Sequence, residues 1–354
     1  MAGAPRRRTG TPGGGAGEPR GRRGWANRFQ GSAGPAPVAA EAPIVVVADP
    51  LDAGAVRRLG EGPCRVVDAT AGAEALAPAV ASMWGLVVRS RTKVTAELLA
   101  RAPALRLVAR AGVGTDNIDL AAASARGIRV VNAPTAATVS VAELSVALYL
   151  LLARDLLLPI AETRAGRWKR GTHGHEVQGR TVGFVGYGRI ARETARRAQA
   201  LGMTPIAHDP FLPASPDGTP LVPLGELLER SDFVSLHAAL TPENHHLLDA
   251  DRIRRMKPGA FVVNVARGPL VDEAALLAAL QSGHLGGAAL DVFEVEPPVR
   301  TELLAHPRVI PTPHLGASTH EAQARAGEAV VDEVHRALRR EPLLFQVNPE
   351  VSDP

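Results

Sequence analysis

The 354-residue sequence predicts an α/β fold: two doubly wound parallel-sheet domains behind a disordered basic leader. Three observations predict it. From Ile44 onward, short β-branched runs alternate with Ala/Leu-rich helical stretches, the pattern of parallel sheets covered on both faces. The strand-like runs form two sets, one on each side of a long helical segment from Ser140 to about Arg164. Hydrophobic residues make up 45% of the chain, enough at this length for large cores, which excludes a wholly disordered protein.

The leader comes first in the chain. Residues 1–43 hold ten of the 35 glycines, six of the 29 prolines and no hydrophobic periodicity, so they cannot offset the entropy of ordering. They carry seven arginines against two glutamates, +5 in all, which leaves −1 for the other 311 residues of a chain with net charge +4. The sequence pI near 9.8 therefore belongs to the leader. Arg6-Arg7-Arg8 lacks the aromatic interleaving of a nucleic-acid surface, and no nucleic-acid partner is expected. The leader has no apolar stretch of the secretory kind, and its removal is expected to leave activity largely intact.

The first set of strands is read at Ile44–Ala48, Leu86–Arg89, Leu105–Ala109 and Arg129–Asn132, with a helix at Thr95–Arg101. The central helical segment contains the longest apolar run, Val146–Ile160, but Arg154 and Asp155 interrupt it short of the ~18 residues a membrane span needs, so no membrane partner is expected. The second set is read at Thr181–Val185, Pro205–His208, Phe233–His237, Ala260–Val265, Gly287–Leu290 and Val309–Ile310, with helices at Ala191–Leu201, Leu224–Arg230 and Asp272–Ser282. The single cysteine, Cys64, excludes an internal disulfide and suits a reducing, cytoplasmic compartment.

The strand Thr181–Val185 runs into Gly186-Tyr187-Gly188-Arg189-Ile190-Ala191 and then a helical pattern. In such a G-x-G-x-x-A loop the first glycine makes the tight turn and the second admits a pyrophosphate close to the backbone. The small third residue lets helix and strand pack, and the helix N-terminus faces the phosphates. Asp209, 21 residues after Gly188, closes the next strand and can accept hydrogen bonds from a ribose diol while repelling a 2′-phosphate. The expected cofactor is NAD rather than NADP.

Three further segments place polar residues just after strands, where ligands collect in open α/β sheets: Asn264–Gly268, Ala289–Pro297 and Pro311–Ser318. His173-x-His175-Glu176 lacks a matching ligand set, so no metal is expected, and His245-His246 reads as a solvated helix start.

Gly-Tyr-Gly-Arg-Ile, His-Asp-Pro, Asn-Val-Ala-Arg-Gly, Asp-Val-Phe-Glu-Val-Glu-Pro-Pro and Pro-His-Leu-Gly-Ala-Ser occur here in one order and at one spacing. In this the chain, over about residues 44–349, resembles the D-isomer-specific 2-hydroxyacid dehydrogenases. The resemblance implies a Rossmann-type NAD-binding domain at 140–317 and a discontinuous, flavodoxin-like substrate domain at 44–139 plus 318–346. His314 resembles the family's acid/base, Glu296 the carboxylate paired with it, and Arg267 the residue that holds the substrate carboxylate. Gly186, Gly188, Arg189, Ile190, Asp209, Val265, Ala266, Asp291, His314 and Gly316 match cofactor-binding positions. Arg89, Ser90, Gly112, Val113, Gly114 and Arg267 match substrate-binding ones.

The segments Gly85–Thr95 and Arg110–Asn117 point, within the family, to oxidation of 3-phospho-D-glycerate to 3-phosphohydroxypyruvate, the entry step of serine synthesis. Arg89, aided by Arg110 or Lys93, is then the candidate for the substrate phosphate. Two rivals stand beside this reading. One is reduction of glyoxylate, hydroxypyruvate or another 2-oxo acid; the other is an NAD-responsive binding protein like the corepressors that share this fold. The resemblance also implies a homodimer or homotetramer, with contact through the Ala142–Arg164 arm, and closure of the cleft around substrate. Two departures are visible. Ala238 stands where the family often has a cofactor-bonding threonine. The sequence ends soon after Val347-Asn348-Pro349, where longer members continue into a regulatory domain, so inhibition through such a domain is not expected.

Overall fold

The computed structural model describes residues 42–168, 173–299 and 301–352. The leader reading falls almost wholly on residues outside these. Among the described residues, two parallel sheets carry the fold. The first contains β1 (Ile44–Val47), β2 (Arg65–Asp68), β3 (Met83–Val88), β4 (Leu107–Arg110) and β5 (Arg129–Asn132), in the order β2-β1-β3-β4-β5. The second contains β6 (Thr181–Val185), β7 (Thr204–His208), β8 (Phe233–Leu236), β9 (Phe261–Asn264), β10 (Gly287–Leu290) and β11 (Val309–Pro311), in the order β11-β10-β9-β8-β6-β7.

Both orders reverse direction once, between β1 and β3 in the first sheet and between β6 and β8 in the second. The first order is the flavodoxin-like arrangement. In the second, an isolated parallel bridge from Ala207 to Leu221 sits outside β7. It takes the place of a third Rossmann strand, reduced to one residue pair. Loops at the carboxyl ends of the strands around these reversals form the natural ligand crevices.

The inner strands are apolar on both faces because both faces are covered. Val46 joins one core cluster while Val45 and Val47 join the cluster on the other side. In the second sheet Phe184, Phe233 and Val263 face one core while Val185, Val234 and Val262 face the other.

Three sequence readings need correction. Strand β2 is absent from the strands read in the sequence. It pairs only with β1, at the sheet edge, and offers just Val66 and Val67 between charged ends. The helical segment after Ser140 is not one arm but two helices, Thr138–Ala153 and Leu157–Arg164, bent by 76°. Asp155 turns back at φ 44°, and Pro159 has no N–H to give the Asp155 carbonyl, so a continuous helix fails there. His245-His246 does not begin a helix: it lies in a turn, with His246 at φ 51°, and the next helix starts at Ala250 behind the Asp249 N-cap.

Helix Thr138–Ala153 packs on helix Arg189–Ala200 and on β9 and β10, burying Leu148, Tyr149 and Leu152. Among the described residues no single helix is long and apolar enough to cross a membrane. Helix His320–Leu338 crosses back to pack on helix Ala53–Gly60 and strands β4 and β5. Its buried Glu333 accepts the backbone N–H groups of Leu344 and Phe345, which lays the last segment antiparallel along β5 through the Val131–Gln346 bridge.

Candidate active site

The glycine loop follows β6. Gly186 sits at φ +82°, and a Cβ there would stand 2.7 Å from the Ala238 backbone, so only glycine fits. Gly188 caps helix Arg189–Ala200 without a side chain, and a Cβ there would meet nothing within 4 Å. The space over Gly188 is therefore open to a pyrophosphate, at a helix N-terminus with unused N–H groups. Arg189 and Gly188 are exposed, Ile190 is half-buried, and Ala191 is buried where helix meets sheet. Asp209 is fixed by two backbone donors: the Tyr187 N–H at 2.8 Å and the Phe211 N–H at 3.0 Å. The carboxylate thus sits against the glycine loop, where a ribose diol would lie. This arrangement fits an NAD adenosine half.

The second part of the site stands at the ends of β9, β10 and β11. Asn264 closes the turn after β9: its Nδ2 donates to the Arg267 carbonyl at 2.9 Å and its Oδ1 accepts from Ala266 N at 3.1 Å. Val265 and Ala266 form this turn, and Gly268 lies so close to Phe293 that a Cβ would stand 1.9 Å from its carbonyl. Asp291, at the end of β10, is buried and accepts from Leu315 N at 2.7 Å, Gly316 N at 2.8 Å and Thr312 Oγ1 at 2.6 Å. These bonds hold the loop in which His314 adopts φ 55°. The same loop brings the His314 Nδ1 to 2.8 Å from Glu296 Oε2. With Nδ1 facing a carboxylate, Nδ1 carries a proton and Nε2 is left as the ring atom that can take one.

The third part belongs to the first lobe. Asp49, buried at the end of β1, accepts from Arg89 N at 2.6 Å, Thr92 N at 3.1 Å and Thr92 Oγ1 at 2.7 Å. Burial alone would raise its pKa, but these bonds and the Arg91 charge outweigh burial and hold it below the ordinary value. Asn117 Nδ2 donates to the carbonyls of Arg89 at 2.8 Å and Thr92 at 2.7 Å, so the Arg89-Ser90 loop is tied from two sides. The Gly112-Val113-Gly114 loop is held by Asn132, which donates to the Val113 carbonyl at 2.6 Å. Two glycines here leave room for arginines: a Cβ on Gly112 would stand 2.1 Å from Arg110 Nη1, and one on Gly114 would stand 1.9 Å from Arg267 Nη2, so either guanidinium would have to move.

Arg267 reaches across the cleft to this loop. Its Nε and Nη2 donate to Asp116 Oδ2 at 3.1 and 2.8 Å, and its Nη1 to the Ala266 carbonyl at 2.7 Å. Arg110 lies beside it, and its Nε is buried without a partner among the described residues. Burial, and then the positive charges of Arg267 and Arg89, push the Arg110 pKa down to about 10, against the pull of Asp116 and Asp49. It remains charged at neutral pH. Three guanidiniums therefore act on one another here, with Asp116 and Asp49 as the carboxylates among them. The Arg89 side chain itself leans back toward the Pro50 carbonyl, at 3.3 Å, while Ser90 and Lys93 are exposed.

Sequence reasoning did not assign Asp49, Asp116 or Asn264 to the site. Asn264 and Asp116 lie inside the quoted motifs; Asn264 closes its own turn, whereas the role of Asp116 is a contact to Arg267, distant in sequence. Tyr187 was also missed as more than a spacer. Its hydroxyl reaches Asp217 at 2.9 Å and Thr219 at 2.7 Å, tying down the segment that follows Asp209.

A doubly wound nucleotide lobe, a glycine loop with an acid fixed against it, and a histidine–carboxylate pair beyond the strand ends define an NAD-binding protein of the doubly wound class. Residues 146–316 match the family model described as D-isomer specific 2-hydroxyacid dehydrogenase, NAD binding domain. The chain belongs to this family. It is 44% identical over 257 residues to a hydroxypyruvate reductase of Thermotoga maritima, covering 72% of this chain and 84% of that protein. It is 46% identical over 311 residues to a D-3-phosphoglycerate dehydrogenase of Mycobacterium leprae, covering 86% of this chain and 59% of that protein. The chain spans less than three fifths of the length of several curated D-3-phosphoglycerate dehydrogenases that it matches, that of Methanocaldococcus jannaschii included at 58%. Among solved structures, a Thermus thermophilus protein superposes with TM-score 0.79 at 38% identity, covering 86% of this chain and 99% of that one. An NAD-dependent formate dehydrogenase of Staphylococcus aureus in complex with NAD gives TM-score 0.76 at 33% identity, over 85% of this chain and 97% of that one.

Proposed function

We propose that the chain catalyses NAD-dependent oxidation of 3-phospho-D-glycerate to 3-phosphohydroxypyruvate, in the cytoplasm, as the entry to serine synthesis. The observation that carries this reading is the grouping of Arg267 and Arg89 around the half-buried Arg110, with Arg267 bonded to Asp116 in the loop after β4, together with the His314–Glu296 pair. A substrate with a carboxylate at one end and a phosphate at the other matches several cations better than an uncharged-tail acid does. The curated relatives named D-3-phosphoglycerate dehydrogenase support the same choice.

In this reading the nucleotide domain spans 140–317 and the substrate domain 44–139 plus 318–346, with the site in the cleft between them. Gly186, Gly188, Arg189, Ile190 and Asp209 hold the adenosine and pyrophosphate half of NAD, and Val265, Ala266, Asp291, His314 and Gly316 line its nicotinamide half. NAD, when bound, supplies the hydride acceptor. Arg267 and the backbone N–H groups of Gly112, Val113 and Gly114 grip the substrate carboxylate. Arg89, Ser90 and Arg110 take the phosphate. His314 Nε2 removes the hydroxyl proton as the hydride departs, and Glu296 stabilises the imidazolium that results. A second copy of the chain would make its contact through the Ala142–Arg164 arm, where Leu158 and Ile160 are exposed.

Hydroxypyruvate reduction is the second reading, favoured by the name of the Thermotoga relative. A substrate panel with NAD(H) decides. The phosphorylated substrate should have the highest kcat/KM; a clear excess for glyoxylate or hydroxypyruvate would reverse the assignment. His314→Gln should lower kcat by about 10²–10⁴-fold while NADH binding, followed by fluorescence, is kept.

A further inference from the structure

We propose that Asp116 is a placeholder for the substrate carboxylate, a positioning residue that occupies the Nε–Nη2 edge of Arg267 until a 2-hydroxy acid takes that edge over. The proposal rests on the reading of Arg267 as the carboxylate holder and goes beyond it.

Four observations carry it. Asp116 comes from the first lobe, in the loop after β4, and Arg267 from the second, so their bond spans the cleft that substrate must enter. Both guanidinium donors converge on one oxygen, Oδ2, at 3.1 and 2.8 Å. A free carboxylate can offer that edge two oxygens in parallel, which is the stronger grip. Exchange of Asp116 for substrate is then favourable at the arginine. The Asp116 side chain is 63% exposed against 30% for Arg267, so it can withdraw toward water while the arginine stays in place. Finally, Arg267 lies against Gly114, in the loop whose N–H groups would complete a carboxylate cradle.

The arrangement also explains why an acid stands at an anion site. Arg110 and Arg267 repel each other, and Asp116 is the carboxylate that attracts both. Without it the empty cleft would hold two uncompensated cations and would retain small anions indiscriminately. With it, only a ligand that grips Arg267 by both oxygens displaces the internal partner.

The test is binding of oxalate, a non-reducible dicarboxylate, to the full chain with saturating NADH, followed by calorimetry. The pair is partly exposed, so removing the competitor by Asp116→Asn is expected to tighten oxalate about two- to five-fold. Asp116→Glu, which restores the charge, is expected to return the affinity toward the parent value. Structural damage weakens ligand binding, so a gain in affinity is not its signature. Equal or weaker binding by Asp116→Asn would overturn the proposal. The assigned activity is judged separately, by NAD-linked turnover of the parent. Absent turnover with tightened oxalate binding would sink the proposed function and leave Asp116 as the placeholder.

Discussion

At the scale of single residues, the site depends on atoms that are absent as much as on those present. Gly114 has no Cβ, and the Arg267 guanidinium fills that space. Gly114→Ala would push against the far end of a flexible side chain, so the fold tolerates it while the arginine moves. The expected result is a fall in kcat/KM of roughly 10- to 100-fold with little change in melting temperature, since misplacing a substrate-holding group costs transition-state binding. Gly268 behaves differently, because its neighbour is the Phe293 backbone and cannot step aside. His314 and Asp291 show the same division of labour. The histidine presents its ring to the cleft, and the buried aspartate beneath spends its acceptors on the Leu315 and Gly316 N–H groups and the Thr312 hydroxyl. The sequence marked both residues through a resemblance, but that the histidine is exposed and the aspartate buried is decided by the fold.

At the scale of elements, helix His320–Leu338 shows how a distant segment supports the first sheet. It buries Val330, Val331 and Val334 against that sheet, and Glu333 reaches the backbone of Leu344 and Phe345. Truncation by Glu333→Ala strands those N–H groups, which costs about 1–3 kcal/mol where they stay buried. Faster hydrogen exchange at Leu344 and Phe345 than elsewhere in the chain is the expected signature; unchanged exchange would show that the strand-like pairing with β5 suffices alone. The sequence-read strands mostly differ from the observed ones by a residue or a few at their ends. The real failures have causes. Strand β2 has too few apolar residues to announce itself, and the 76° bend after Ala153 lies in a run that periodicity reads as continuous.

At the scale of the whole molecule, the core titrates against acid. His237 is half-buried, bonded to Ser235 at 2.8 Å, with Tyr149 bonded to the same serine at 2.7 Å. Burial holds its pKa down to about 3, against an ordinary value of 6.5. The unfolded chain therefore binds a proton below pH 6.5 that the folded chain refuses. His237 thus contributes a loss of stability as pH falls from about 6.5 toward 3, by up to about 1.4 kcal/mol per pH unit, and none above 6.5. Urea midpoints between pH 7.5 and 5 should fall with a slope that His237→Asn reduces; an identical slope in the variant would assign the acid sensitivity elsewhere. The charge of the whole chain is a weaker guide. Its +4 arises in the leader, while Arg89, Arg110 and Arg267 form a local positive group within the body.

The sequence by itself determined the alternation that makes two parallel sheets, the glycine turn, the acid that follows the next strand, and the polar residues at strand ends. Each of these is a local pattern, set by periodicity and by steric or hydrogen-bonding demands within a few residues. Only the tertiary structure decided that Asp116 meets Arg267 across 151 positions, that Asp49 holds the Arg89 loop, and that three guanidiniums share one cleft. Those relations depend on the order of strands in each sheet and on the approach of two lobes, and no spacing along the chain encodes such distances.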